Sequence, residues 1–474
     1  MRPLELLLCL ALFLLLAPFP KALHRRAVFG LSIATDTLLV LHLLLEGYRW
    51  QMVPAYALSV GLVAARFMTT RQPAQQQPWL PLLGRGLGYL AVVLAMAPPL
   101  LFPVPRLPAP GGPFEVGTVT FQWTDPAREE QYNVVPDPAN PGDRREVMVQ
   151  VWYPALPAAG ADTAPWMNRL DLTGPLIARF LGLPSFFLDH ARLVKTHAYP
   201  DAPLDPAGGR YPLVIYSHGW NGFRTVNLNQ SEALASRGYI VAAVDHTYGA
   251  MVTVFDDGRV AANNPAILPD GAEDAAYFRA AGQLEATFAA DLSFVLDQVA
   301  RLDAGEIDSP LAGHVDLAHS GLFGHSTGGG AVVLACQQDE RCRAGVALDA
   351  WLEPLDVQAL AAPLAQPFLF MRSEVWASED NDIRLDAILG NLQGAGYHAT
   401  ILGTRHYDFT LLPLLTPLAP ALGLKGPLEG QRTLAVITDY LVAFFDHHLK
   451  HLPQTLLDGP SEEYPEVEFE RYGS

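Results

Sequence analysis

Cysteine and charged residues are both scarce in this chain. The three cysteines, Cys9, Cys336 and Cys342, form no CxxC or Cys/His pattern with the spacing of a zinc site, so no structural metal is expected. Lysine and arginine total 31 against 49 aspartates and glutamates, which gives a net charge of −18. Nucleic-acid binding requires positive charge opposite the phosphates, so this composition argues against a nucleic-acid partner.

Acidic residues are nearly absent from residues 1–108. This region has nine Lys/Arg and three Asp/Glu, a net charge of +6, so the remainder carries −24 to reach −18. It contains four apolar runs, each close to the about 20 residues that a helix needs to cross a bilayer. A basic, apolar region joined to an acidic body indicates an all-α membrane region of about four transmembrane helices, over residues 3–19, 27–45, 52–68 and 87–104.

The first apolar run could instead be a signal peptide, because Arg2 precedes a leucine-rich core. The following "PFPKALHRR" lacks a small-x-small cleavage site and three more runs follow, which favours a multi-pass membrane protein. Lysine and arginine are enriched in cytoplasmic loops. Five such residues lie in the first and third loops: Lys21, Arg25, Arg26, Arg66 and Arg71. Three lie on the other side, Arg2, Arg49 and Arg106, and Arg85 is assigned to neither side. This difference predicts that the body is extracytoplasmic.

Two ionisable residues, Asp36 and His42, fall within the second run. An ionisable side chain inside a membrane helix is either functional or bonded to a neighbouring helix. We expect interhelical hydrogen bonds within a small bundle.

A Pro/Gly-rich linker at 102–113 predicts a boundary between the membrane region, 1–108, and a catalytic domain, 109–453. Short apolar runs such as "YPLVIYS", "YIVAAVD", "GLFGH" and "AGVALDA" then alternate with helical patterns. Continuous apolar strands between helices are typical of a mostly parallel sheet covered on both faces, an α/β fold. Such sheets hold their sites at the C-terminal ends of the strands. An acidic tail, 454–474, completes the chain as given.

The stretch "GLFGHSTGGG", residues 321–330, places Ser326 in a G-x-S-x-G motif between a predicted strand and a predicted helix. A nucleophilic serine in this context sits on a tight turn with an unfavourable backbone, and the flanking glycines leave room for it. The alternative is an ordinary glycine-rich loop.

A nucleophilic serine needs a base and an orienting acid, which follow it in the order acid, then histidine, when this motif is catalytic. His406 follows the last predicted parallel strand, where a loop can reach back to Ser326, whereas His398 lies early in that strand. Two acids end strands beside the site, Asp349 and Glu374, and topology alone does not choose between them.

An ester-cleaving serine also needs donors for the oxyanion. The backbone N–H of Thr327, at the start of the helix, is one candidate. The second is the backbone N–H of Trp220 in "YSHGWNGF", where Gly219 lets the backbone approach. The alternative for His218 and Gly219 is an ordinary tight turn.

Together, "YSHGWNGFRTVNLNQSEALASRGYIVAAVDH", "GHSTGG", "ALDAW" and "GTRHYDF" resemble the secreted platelet-activating factor acetylhydrolases and their bacterial relatives, which are α/β-hydrolases. The resemblance covers about residues 114–452 and not the membrane region, so the chain looks like a bacterial-type member with an N-terminal membrane region. The family's triad matches Ser326, Asp349 and His406, which favours Asp349 over Glu374. Its oxyanion donors match Trp220 and Thr327.

The resemblance implies calcium-independent hydrolysis of short or oxidised acyl esters, including the sn-2 ester of phospholipids, without a metal or other cofactor. Mammalian members have an aromatic residue where Thr327 stands, and this departure bears on the shape of the acyl pocket. We therefore expect a membrane-anchored serine esterase whose partners are an ester or phospholipid substrate and membrane lipid. The alternatives are a carboxylesterase or polyester hydrolase of soluble esters, and a catalytically inactive membrane-tethered binding module, against which the complete Ser, acid and His set argues.

Two apolar segments, 172–193 and 409–424, could line an acyl pocket, touch lipid or simply pack as core and lid. Cys336 and Cys342 could form a disulfide if the body is outside the cytoplasm, or could be two buried thiols.

Overall fold

The computed structural model describes residues 1–19, 21–69, 80–133, 143–269, 271, 273–375 and 378–473. Arg71, one of the charges counted for the orientation, lies outside them. Within this part of the chain, four helices (α1–α4) precede a body that contains helices α5–α11. Their bounds are Pro3–Leu15, Lys21–Leu41, Val53–Thr69, Leu80–Leu101, Leu170–Phe180, Leu228–Ser236, Asp274–Asp303, Thr327–Gln338, Val357–Ala361, Glu379–Gly390 and Gly430–Lys450.

The body is built on a ten-stranded mixed sheet with strand order β12-β11-β10-β9-β8-β4-β5-β2-β1-β3, and β6 pairs separately with β7. The strands from β5 to β11 in this order are parallel to their neighbours, whereas β2 and β12 are added antiparallel. The strand bounds are Glu115–Glu129, Arg144–Ala155, Ala198–Pro200, Tyr211–Ser217, Ile240–Asp245, Val252–Val254, Val260–Ala262, Val315–His325, Ala344–Leu348, Phe368–Val375, Gly396–Arg405 and Val467–Tyr472.

The central strands have no polar face because helices cover both sides of the sheet. In β4 every residue is buried. Leu213 and Ile215 face a core shared with α7 and α8, and Val214 and Tyr216 face a second core shared with α6 and α11. This alternation follows from the two-residue period of a strand, and it confirms the predicted α/β architecture of a sheet with helices on both faces.

The acidic tail also contributes to the sheet. Its strand β12 pairs antiparallel with β11, from Val467 opposite Ile401 to Tyr472 opposite Gly396. The buried residues Val467 and Phe469 alternate with exposed glutamates, so one side of this edge strand packs on the body and the other faces solvent.

The helical region offers fewer membrane spans than the sequence predicts. Among the described residues, two helices are long and apolar enough to cross a bilayer, Arg26–Glu46 and Leu82–Leu101, and two apolar helices are shorter, Pro3–Leu15 and Trp50–Ala65. At 1.5 Å per residue a 13-residue helix such as α1 is about 20 Å long, less than the about 30 Å hydrocarbon core. The prediction of about four transmembrane helices is therefore not supported.

Polar residues inside the bundle are bonded to one another. Glu5 receives two hydrogen bonds from Arg49, at 2.7 and 2.6 Å, and both side chains are fully buried. His42 contacts the Tyr56 hydroxyl of α3 at 2.6 Å, which is the interhelical bond expected for it, whereas Asp36 is exposed. A buried carboxylate and guanidinium need such pairing because each would be costly to bury alone.

The bundle contacts the body at the end that carries Trp50. The indole N–H of Trp50 donates to the Phe187 carbonyl (2.9 Å), and its ring packs against Phe102 and Phe187. The Thr416 hydroxyl donates to the Leu101 carbonyl at 2.6 Å. The two apolar segments of the body, 172–193 and 409–424, thus pack against the bundle, and Phe180, Leu181 and Phe186 of the first segment remain exposed at its surface.

Cys336, near the end of α8, and Cys342 are joined by a disulfide. This resolves the alternative that the sequence left open for these two residues. Cys9 is a free, buried thiol in the bundle.

Candidate active site

Ser326 stands between β8 and α8 with a backbone φ of 57° and ψ of −124°. A positive φ is unfavourable for a residue with a side chain, so the surrounding structure must hold it. The Ser326 N–H donates to the Leu348 carbonyl at 3.0 Å, and the Ser326 carbonyl accepts from the N–H groups of Gly329 (2.8 Å) and Trp351 (3.0 Å). Backbone bonds to the adjacent strand and to the helix therefore fix the turn on which the hydroxyl is presented.

The motif's two glycines allow the turn to lie against other backbone. A Cβ on Gly324 would be 2.2 Å from the Gly328 carbonyl oxygen, and a Cβ on Gly328 would be 2.3 Å from the Ser217 carbonyl oxygen. Both distances are far inside van der Waals contact with atoms that cannot rotate away. The close approach of α8 to the end of β4 therefore requires glycine at these positions.

His406 follows β11 directly and lies beside Asp349, which follows β9. The His406 Nδ1 and Asp349 Oδ2 atoms are 2.7 Å apart. Asp349 also accepts hydrogen bonds from the backbone N–H (2.7 Å) and the hydroxyl of Ser373. Burial raises the pKa of Asp349, but the bond and charge of His406 and the bonds from Ser373 outweigh it, so the pKa lies below its ordinary value. Asp349 is therefore the ionised partner that holds the ring of His406.

Glu374, the competing acid, lies elsewhere. Its carboxylate accepts a hydrogen bond from the Gly403 N–H at 2.6 Å, and the side chain is exposed. Glu374 therefore supports the backbone of β11 a few residues before His406, and the structure places Asp349 rather than Glu374 at the imidazole.

The two residues with the candidate oxyanion donors line the same cleft as Ser326. Thr327 is the first residue of α8, where N–H groups have no partner within the helix. The Trp220 N–H donates to the Thr327 hydroxyl at 3.3 Å, so it points toward the start of α8. Gly219 lies close to the serine, since a Cβ there would be 2.8 Å from the Ser326 Cβ.

His325, the variable residue of the motif, has a role that the sequence did not suggest. Its ring packs on His406 with ring centroids 4.5 Å apart, and its Nε2–H donates to the His406 carbonyl (3.1 Å). Burial, together with the neighbouring His406, lowers the pKa of His325 to about 3, so the ring stays neutral. A histidine inside the motif was the available signal, but its contact with a residue 81 positions away could not be read from spacing.

Ser326, His406, Trp220 and Thr327 line one cleft of about 380 Å³. Its other walls are mostly apolar and aromatic, and they include Phe223, Met251, Leu268, Tyr277, Trp351, Tyr407 and Leu412. The cleft thus combines a few converging polar groups with apolar walls, as small-molecule sites generally do. The five residues that the sequence singled out are gathered here, with Asp349 behind His406.

Known proteins with related sequences and folds are hydrolases of esters. Residues 102–455 match the family described as platelet-activating factor acetylhydrolase, isoform II. The platelet-activating factor acetylhydrolase of Canis lupus familiaris is 26% identical over 371 residues, which cover 73% of this chain and 77% of that protein. A probable 1-alkyl-2-acetylglycerophosphocholine esterase of Arthroderma benhamiae is 25% identical over 390 residues, covering 77% and 93%.

Among solved structures, a ferulic acid esterase from Streptomyces cinnamoneus superimposes with a TM-score of 0.62 at 29% identity. It covers 77% of this chain and 99% of its own. The body therefore matches an α/β-hydrolase esterase fold, while almost all of the four-helix region precedes the residues matched to the family.

Replacing each acid by its amide tests which of the two carboxylates orients His406. Asp349→Asn should lower kcat by about 10⁴, because the amide cannot hold the productive tautomer of His406. Glu374→Gln should cost only a few-fold, because Gly403 can still donate to the amide oxygen. The readout is kcat on a short ester, with circular dichroism to show that both variants are folded. A small loss of kcat in Asp349→Asn together with a large loss of kcat in Glu374→Gln would reverse the assignment.

Proposed function

Because this chain belongs to the platelet-activating factor acetylhydrolase isoform II family and is a carboxylic ester hydrolase, we propose that it is a serine esterase of short-chain or oxidised acyl esters. The proposed natural substrate is the sn-2 ester of phospholipids resembling platelet-activating factor. The observation that carries the proposal is the constrained turn at Ser326 in one apolar cleft with the His406–Asp349 pair.

The proposed reaction passes through an acyl-enzyme. The Ser326 Oγ attacks the ester carbonyl, and Nε2 of His406 accepts the serine proton and passes it to the leaving alcohol. Asp349 keeps the other ring nitrogen protonated and stabilises the imidazolium. The N–H groups of Trp220 and Thr327 bind the oxyanion. Water then attacks the acyl carbonyl, His406 takes the water proton and passes it to the Ser326 Oγ, and the acid product leaves with the serine restored.

The walls of the cleft support a short acyl chain. A volume of about 380 Å³ lies near the lower end of the about 300–1,000 Å³ typical of ligand pockets. Trp220, Tyr277 and Trp351 are bulky residues that limit the room beside Ser326. The side chain of Thr327 is smaller than an aromatic one, which leaves space next to the oxyanion donors.

A hydrolase of soluble esters is the second candidate. It is supported by the similarity to a ferulic acid esterase, whose name implies an aromatic ester, and by the aromatic walls of the cleft. A catalytically inactive binding module is less consistent with an intact Ser326, His406 and Asp349 arrangement.

The acyl preference can be measured with matched esters. p-Nitrophenyl acetate should be turned over with a kcat/KM at least about tenfold above that of the palmitate ester, because long chains exceed the cleft. A phospholipid with an sn-2 acetyl group should likewise be preferred over the same lipid with an sn-2 palmitoyl group, and EDTA should change neither rate. Faster palmitate turnover or loss of activity in EDTA would contradict the proposal. Activity on the nitrophenyl and feruloyl esters without phospholipid hydrolysis would instead establish the second candidate.

The proposed location of the body is the extracytoplasmic side of a membrane. Two helices are long enough to span, and the Cys336–Cys342 disulfide is a bond that persists in oxidising compartments. The charge count gives no support once the spans are two. That count assumed that all four apolar runs span the membrane, and among the described helices two are long enough. The disulfide therefore carries this part of the proposal.

A reporter fusion tests the location. Alkaline phosphatase joined after residue 110 folds only where its own disulfides form, so it should be active, and a cytoplasmic reporter at the same position should be inactive. The reverse pattern would place the body in the cytoplasm.

A further inference from the structure

A buried polar network lies behind the oxyanion loop, on the side away from the cleft. Ser217 ends β4 and His218 follows it, His246 follows β5, and Asp291 lies on α7. All four side chains are fully buried. The proposed reaction assigns none of them a role.

Three of these residues are hydrogen-bonded in the order serine, histidine, aspartate, as in a catalytic triad. The Ser217 Oγ and His246 Nε2 atoms are 2.9 Å apart, and the His246 Nδ1 and Asp291 Oδ2 atoms are also 2.9 Å apart. The His246 ring is stacked on Phe288 with centroids 3.8 Å apart. Because Ser217 is fully buried, no ester can reach its hydroxyl, and the arrangement must act on the protein itself.

The charges around Asp291 determine which nitrogen of His246 has the proton. Asp291 accepts from Arg145 at 2.6 Å and from Arg128 at 2.8 Å. Burial raises the pKa of Asp291, but the charge and hydrogen bonds of its partners hold it well below the ordinary value. An ionised Asp291 can only accept, so Nδ1 of His246 is protonated. Burial lowers the pKa of His246, and in the neutral ring Nε2 accepts a hydrogen bond from the Ser217 hydroxyl.

His246 in turn determines the tautomer of His218. The His246 backbone N–H donates to Nε2 of His218 at 3.1 Å, so the proton of the neutral His218 ring is on Nδ1. That Nδ1–H donates to the Gly219 carbonyl at 2.7 Å. Burial, with the neighbouring His246, keeps the pKa of His218 well below its ordinary value, so a second proton is not taken up.

The Gly219 carbonyl belongs to the same peptide group as the Trp220 N–H. It also accepts the Gly222 N–H at 2.8 Å, so two donors hold its oxygen. A trans peptide group is planar and its C=O and N–H point in opposite directions. Fixing the Gly219 oxygen therefore aims the Trp220 N–H at Thr327 and the serine.

We propose that His218 is a positioning residue that sets the first oxyanion donor, and that the Ser217–His246–Asp291 chain anchors the His246 residue whose backbone N–H selects the tautomer of His218. The proposal rests on the proposed function, since it concerns the Trp220 donor of that reaction. His218 acts through the Gly219–Trp220 peptide and touches no substrate.

Two replacements of His218 test which of its ring nitrogens is needed for activity. The amide nitrogen of asparagine lies where Nδ1 lies, and that of glutamine lies where Nε2 lies. In the full chain, His218→Asn should lose no more than about tenfold in kcat, because one hydrogen bond is given up and the bond to Gly219 is kept. His218→Gln should lose about 10²–10³ in kcat, the usual cost of one oxyanion donor, with KM nearly unchanged.

A transition-state analogue separates positioning from general damage. The affinity for a phenylboronic acid should fall in parallel with kcat/KM from wild type to His218→Asn to His218→Gln, while the temperature of unfolding should not follow that order. Equal losses in both variants, or losses that follow the temperature of unfolding, would overturn the proposal.

A second pair of variants tests the chain behind His218. Ser217→Ala removes the hydroxyl that donates a hydrogen bond to His246, and it should lower kcat several-fold. Ser320→Ala is the matched control, because Ser320 is equally buried and its hydroxyl donates to the Leu317 carbonyl within β8, away from His246. An unchanged kcat in Ser217→Ala, or an equal loss in Ser320→Ala, would remove the chain from the proposal.

The tautomers can be read without a substrate. Side-chain ¹⁵N spectra of the full chain in detergent should show neutral, Nδ1-protonated rings for His218 and His246, assigned by their loss in the corresponding variants. An Nε2-protonated His218 would overturn the inference. Correct tautomers in a protein that hydrolyses no ester would instead locate the failure in the proposed function.

Discussion

The backbone of Ser326 is the constraint around which the body is arranged. A positive φ at a residue with a side chain costs on the order of 1–3 kcal/mol, and it persists only if neighbouring structure enforces it. Three strand ends supply that enforcement. β8 leads into the turn, the Leu348 carbonyl at the end of β9 accepts its N–H, and the end of β4 lies against Gly328 so closely that only glycine fits. The same strand ends supply Asp349 and the Trp220 donor, so the strained turn and its partners share one support.

Burial and hydrogen bonds together determine the protonation states of the groups around this turn. Asp349 is fully surrounded by donors and stays ionised, whereas His325 and His218 are kept neutral by burial. His406 is bonded to the Asp349 carboxylate and packs against the neutral ring of His325. Behind the loop, Arg145 pairs with Asp291 in the interior, an arrangement that is costly to bury and that fixes the geometry of its neighbours when every bond is made.

Local sequence signals predicted much of this arrangement, and long-range contacts account for the rest. The strands flanking "GHSTG" and "SHGW" could be predicted from the sequence because both faces of the central sheet are buried and the runs are continuously apolar. The choice between Asp349 and Glu374 needed the register of β10 against β9 and β11, since both acids follow apolar strands. The number of spans was overestimated because hydropathy does not show where a helix ends: α1 ends at Leu15 after 13 residues, although the apolar run continues to residue 19. The strand β12 was not predicted because glutamates occupy its exposed side, and the Asp291 network joins residues up to 163 positions apart.

Covalent labelling of the full chain tests the central claim most directly. A fluorophosphonate reacts with a serine only where a base and oxyanion donors activate it. The account predicts that the probe modifies Ser326 in the wild type, that Ser326→Ala is unlabelled, and that His406→Ala is labelled far more slowly while remaining folded, with peptide mass spectrometry as the readout. Labelling at a different serine, or no labelling of a folded wild-type protein, would contradict it.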